Sequence, residues 1–153
     1  MRRWIVYLLA FAVALLLIPS GQTDVGKLQP MELLYIYKEN GAVSVRTDTG
    51  DLGRGSTLGE AMADLKATAP GEVFLETAAY VVVTEQTRDL LPQLAAYVRP
   101  AAKLLLAKGD IDVENAAVYL AVHDPAVTLK DYRAGERRLP ELTMTEGRFD
   151  LGQ

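Results

Sequence analysis

Two short runs constrain this chain more than any other feature. "AAYVVVT", residues 78–84, and "AKLLLAK", residues 102–108, are rich in apolar residues at consecutive positions instead of alternating ones. Successive side chains of a strand point to opposite faces, so a strand apolar at every position needs cover on both. The two runs are therefore expected as buried strands inside a sheet, with helices packed on it.

The segments between them supply those helices. From Thr57 the apolar spacing changes to Leu58, Ala61, Met62, Leu65 and Ala69, the stripe of an amphipathic helix, and Pro70-Gly71 stops it. Leu90, Leu91, Leu94, Tyr97 and Val98 predict a second helix, with Asp89 as its cap, Pro92 in its first turn and Arg99-Pro100 at its end. Asp112 is placed to cap a third, with Val113, Ala116, Ala117 and Leu120 on one face and Asp124-Pro125 closing it. Upstream, Asn40-Gly41 sits between "MELLYIYK" and "AVSVRT" and predicts a hairpin with strands at 32–38 and 42–48. The order is β-β-α-β-α-β-α, an α/β fold, with α+β as the alternative. "RAGERR", residues 133–138, reads as a solvated connection. "ELTMTEGRFDL", residues 141–151, reads as an added edge hairpin or an outward-reaching docking segment.

"VRTDTGDLGRGSTLGEA", residues 45–61, carries three motifs that resemble chemistry. A pepsin-like Asp-Thr-Gly needs apolar residues on both sides, whereas Asp48 has Arg46, Thr47 and Asp51 around it. A dinucleotide fingerprint needs Gly-x-Gly-x-x-Gly between a strand and a helix. Here Gly53-Arg54-Gly55 is followed by Gly59, one residue late. A phosphate loop needs Gly-Lys-Ser/Thr, which the stretch lacks. The reading that accounts for every residue is a corner, with Gly50, Gly53 and Gly55 in positive-φ turns and Thr57 with Glu60 forming a capping box.

The N-terminus bears on location. Arg2 and Arg3 precede "WIVYLLAFAVALLLI", residues 4–18, which carries no charge and is closed by Pro19-Ser20-Gly21. That is the pattern of an export segment. Fifteen helical residues span roughly 22 Å, short of a ~30 Å hydrocarbon core, which favours a cleaved signal peptide. Pro19 or Ile18 at the position three before a cut favours an uncleaved anchor. Both readings leave the arginines cytoplasmic and the body extracytoplasmic, on the cell membrane or secreted. The expected organisation is signal peptide or transmembrane anchor 1–21, tether 22–30, α/β domain 31–129, and a connection with extension or edge strand 130–153.

Charge and composition narrow the classes further. Residues 1–21 hold two of the 16 basic side chains and none of the 20 acidic ones, leaving 14 against 20, a net of −6. An acidic body has no electrostatic footprint for nucleic acid. With no cysteine, disulfides, thiolate chemistry and lipid attachment to a cysteine are excluded. His123 is the sole histidine, in the last turn of the third helix, where a structural role suits it. Glu72 and Glu76 could be imagined as paired carboxylates, but nothing in the sequence gathers them into a cleft. No catalytic, cofactor-binding or metal-ligating residue is assigned, and no cofactor is expected.

From the hairpin to the third helix, residues 31–122, the chain resembles the N-terminal domain of the spore germination receptor C-subunit family, the Ger(x)C type. "GSTLGEAMADL" looks like that family's helix start, "AYVVVTEQ" like its apolar strand ending in an acid, "LLPQLAAYVRP" like its next helix, and "KLLLAKGDIDVENAAVYL" like its closing strand and helix. It departs in lacking the lipidated cysteine, in having Tyr37-Lys38-Glu39 where the family has Gly-Ile-Asp, and in lacking the further domains. The resemblance implies a non-catalytic domain on the outer face of a membrane, beside integral membrane partners. The alternative expectation is a secreted or anchored small-ligand sensor or enzyme built from loop 48–57 with His123.

Overall fold

The computed structural model describes residues 28–152. The expected export segment, including residues 4–18, and residues 22–27 of the tether lie outside the described residues. In chain order the strands are β1 (Leu28–Gln29), β2 (Leu33–Glu39), β3 (Ala42–Thr47), β4 (Leu52–Gly55), β5 (Glu72–Val73), β6 (Tyr80–Val83), β7 (Lys103–Lys108), β8 (Glu141–Thr145) and β9 (Arg148–Gly152). The α-helices are α1 (Leu58–Thr68), α2 (Val113–Val122) and α3 (Leu129–Ala134), and 3₁₀ turns run over Leu75–Thr77 and Glu85–Ala96.

Seven strands form one mixed sheet in the order β4-β3-β2-β6-β7-β8-β9. The four central strands, β2, β6, β7 and β8, are parallel, and antiparallel pairings extend the sheet on both sides, β2 with β3 and β3 with β4 on one, β8 with β9 on the other. The two apolar runs are β6 and β7, inside the sheet as expected. Val81, Val83, Leu104 and Leu106 face α1, the Glu85–Ala96 turns and α3, whereas Val82, Leu105 and Ala107 face α2. Cover on both faces is the physical reason those runs do not alternate. Each fully buried leucine or valine contributes roughly 1.5–3 kcal/mol relative to exposure.

The hairpin β2–β3 turns at Asn40 (φ 52°) and Gly41 (φ 82°), the left-handed pair that a two-residue hairpin loop needs. Helix α1 is capped by Thr57, whose hydroxyl accepts the Glu60 N–H at 3.2 Å. Glu60 reaches one residue further back than a capping box predicts. Its carboxylate accepts the Ser56 N–H at 2.8 Å and the Ser56 hydroxyl at 2.6 Å, and these bonds, the side-chain one first, hold it below the usual carboxylate range.

Several expectations are corrected. Gly50 is a positive-φ turn (φ 90°), but Gly53 and Gly55 are not. They lie in β4, a strand the corner reading lacked, and are glycines because α1 rests on them: a Cβ on Gly53 would stand 2.2 Å from the Ala61 carbonyl oxygen, and one on Gly55 2.5 Å from the Ala61 nitrogen. The second helix is a succession of 3₁₀ turns starting at Thr84, not an α-helix capped by Asp89, and Pro92 falls well inside it. Thr87 fixes this start. Its buried hydroxyl accepts the Thr84 N–H at 3.0 Å and donates to the Ile36 carbonyl at 2.8 Å, tying the turns to β2. The segment expected as a solvated connection begins inside α3, which Thr128 and Asp131 cap reciprocally and Gly135 (φ 118°) ends. Arg137 then folds back over the Tyr132 ring, 4.5 Å from its centroid. Of the expected tether, Leu28 and Gln29 pair with β5.

Candidate functional site

In sheets with parallel strands, ligands gather at the carboxyl ends of those strands. Two open depressions share Asp110, which follows β7: the smaller lies at those carboxyl ends, and the larger runs from Asp110 to the end of β3, beside the start of β2. One, about 500 Å³, includes Arg46, Asp48, Asp110, Asp112 and Glu114 in its lining. The other, about 400 Å³, is lined by Tyr35, Tyr37, Thr84, Glu85, Gly109 and Asp110 among others.

Asp48, the aspartate of the Asp-Thr-Gly, is committed to the backbone. Its carboxylate accepts the Glu32 N–H at 3.1 Å and 3.2 Å and the Leu33 N–H at 3.1 Å, pinning the start of β2. Asp112 is committed too. As the cap of α2 it accepts the Asn115 side-chain amide at 2.6 Å and the Asn115 backbone N–H at 3.2 Å, and these bonds hold its carboxyl low. Among the described residues no group of three or more acids and histidines is arranged to hold a metal ion.

Tyr35 is the polar group the sequence did not single out. It follows buried Leu34 on β2, is 6% exposed, and stacks on Tyr37 with ring centroids 4.9 Å apart. Burial, reinforced by the Asp110 carboxylate, pushes its phenol up to about 12 from an ordinary value of 10.0. The folded chain therefore holds this proton more tightly than the unfolded chain does. Its contribution to stability is complete below about pH 10 and is lost as pH rises through about 12. In a spectrophotometric titration, the wild type minus Tyr35→Phe difference should show one phenol ionising near pH 12. Stability should fall less steeply in the variant between pH 10 and 12; a difference midpoint at pH 10 would refute this.

The other candidates lie elsewhere. His123 stacks on Tyr119 at 4.1 Å, and its Nδ1 is 3.0 Å from the Tyr119 carbonyl oxygen. Tyr119 in turn packs on Phe149 of β9. Asp48 follows β3, and four strands separate β3 from β9 in the sheet, so the structure does not bring loop 48–57 and His123 into one site. Glu72 and Glu76 are exposed and line neither depression.

Helix α2 presents a different kind of feature. Its inner face buries Val113, Ala116, Ala117 and Leu120, whereas Val118 and Val122 on its outer face are 68% and 78% exposed. A residue spacing of four puts these two valines side by side, one helical turn apart. Comparison with family models, with curated proteins and with solved structures returned no match.

Proposed function

We propose that this protein is a membrane-associated extracytoplasmic domain that acts by protein contact. The observation that carries the reading is the join of an export-type segment, residues 2–18, to an α/β domain that leaves Val118 and Val122 on its surface. Val118 and Val122, one helical turn apart, form a small apolar patch, and contiguous apolar patches are where protein contacts form. The commitment of Asp48 and Asp112 to backbone amides supports the same reading, because it ties two acids of the larger depression to structural work. Within this proposal the chain is a reduced relative of germination receptor C-subunits, on the strength of the four segments between residues 55 and 120 that resemble that family.

Fractionation tests both halves. The full chain is expected in the membrane pellet, resistant to carbonate as an anchor; release of a body beginning near Gln22 marks the cleaved form instead. Purification from detergent-solubilised membranes is expected to recover a stoichiometric integral membrane partner. Recovery of the chain without one overturns the contact reading.

A further inference from the structure

The seven-stranded sheet ends differently on its two sides. On β4 the residues that turn their peptide groups away from β3 are Leu52 and Arg54, and α1 meets both. The Arg54 N–H donates to Asp64 at 2.8 Å, and the Thr68 hydroxyl shares its proton between the Asp64 carbonyl at 2.9 Å and the Leu52 carbonyl at 3.3 Å. Asp64 and Thr68 are one helical turn apart, so the helix that covers the sheet's face also closes its edge.

The far edge, β9, has no such cover among the described residues. The turn at Glu146 (φ 52°) and Gly147 (φ 75°) joins Thr145 to Arg148 as the closing pair of the hairpin, and this fixes the phase. Arg148 and Asp150 direct their peptide groups at β8, and Phe149 and Leu151 direct theirs outward. No described residue bonds those outward groups, and neither Arg148 nor Asp150 takes part in an ion pair among the described residues.

We propose that β9 is the contact edge of a symmetric dimer, in which β9 of a second copy pairs with it antiparallel about Phe149. The sequence of the edge is complementary to itself in that register. Arg148 of one copy lies opposite Asp150 of the other, twice, on one face of the joined sheet. Phe149 meets Phe149 on the opposite face, beside the Tyr119 ring that already packs 5.4 Å from it. The Phe149 pair exchanges both of its peptide hydrogen bonds, as the centre of an antiparallel two-fold requires. Pairing about Asp150 would set two carboxylates against each other, which disfavours that register. This inference stands apart from the proposed membrane partner, since self-association is read on the purified chain and partner recovery on the membrane extract.

The test is sedimentation of the full chain in detergent micelles at about 100 µM, where interfaces of modest affinity are populated. The wild type is expected as a dimer. Asp150→Arg and Arg148→Asp each place like charges opposite one another, and each should weaken self-association at least about tenfold. Mixed in equal amounts, the two variants should associate again, because a copy with two arginines then faces a copy with two aspartates. A misfolded variant could not be rescued this way. The double swap R148D/D150R should sediment as the wild type does, because each arginine again faces an aspartate; Arg148→Asp separates the registers, since in pairing about Asp150 residue 148 would face Gly152 and its charge would not matter. A monomeric wild type, a mixture that stays apart, or variants that dimerise like the wild type, as they would through residues 4–18, would each overturn the proposal.

Discussion

Gly53→Ala is expected to cost about 3 kcal/mol or more, an unusually large effect for one added methyl group. The new Cβ would stand 2.2 Å from the Ala61 carbonyl oxygen and 2.5 Å from the Leu65 nitrogen. Both are backbone atoms of α1, so no side chain can swing aside and the helix itself has to rise from β4. Lifting it also loosens the bonds from Asp64 to Arg54 and from Thr68 to Leu52. Gly50 provides the contrast. It has φ 90° and nothing within 4 Å of a built Cβ, so Gly50→Ala incurs only the conformational cost of a left-handed residue, about 1 kcal/mol. Urea titrations with unchanged slope measure the two directly. Equal costs at the two positions would defeat the close-approach account.

Removing residues 139–153 is expected to abolish cooperative unfolding altogether. The deletion takes β8 and β9, strips β7 of a parallel neighbour, and removes Leu139 and Leu142, which are 5% and 0% exposed on opposite faces of the sheet. Leu142→Ala alone should cost about 2–5 kcal/mol, a large part of the roughly 5–15 kcal/mol that holds a domain folded. Thermal melting followed by circular dichroism decides it. An unchanged midpoint after the deletion would make the C-terminal hairpin a docking segment separate from the fold.

The parts of this fold that were legible in the sequence are those specified by neighbours in the chain. Asn40-Gly41 announces its hairpin because a left-handed turn is a local matter, and Asp112 announces α2 because a cap reaches only three residues. Val81 to Val83 and Leu104 to Leu106 announce buried strands because continuous apolar character needs cover on both faces. What escaped depends on groups distant in sequence. β4 is four residues, two of them glycine, and its pattern makes sense only beneath Ala61 and Leu65. The 3₁₀ turns start at Thr84 because Thr87 finds the Ile36 carbonyl, 51 residues away. The candidate site was hidden for the same reason. Asp48 is drawn to the amides of Glu32 and Leu33, and Tyr35 meets Asp110, by the sheet and not by spacing.

The closing of β4 by Asp64 and Thr68 determines what strand addition can build. A sheet with two receptive margins passes a template from each copy to the next, so its growth has no natural end and yields a fibre. Here one margin is occupied by the chain's own helix, and a copy that docks on the other brings its own occupied margin to the outside. Growth by that route terminates at two, and a fibre would first require α1 to come away from Gly53 and Gly55.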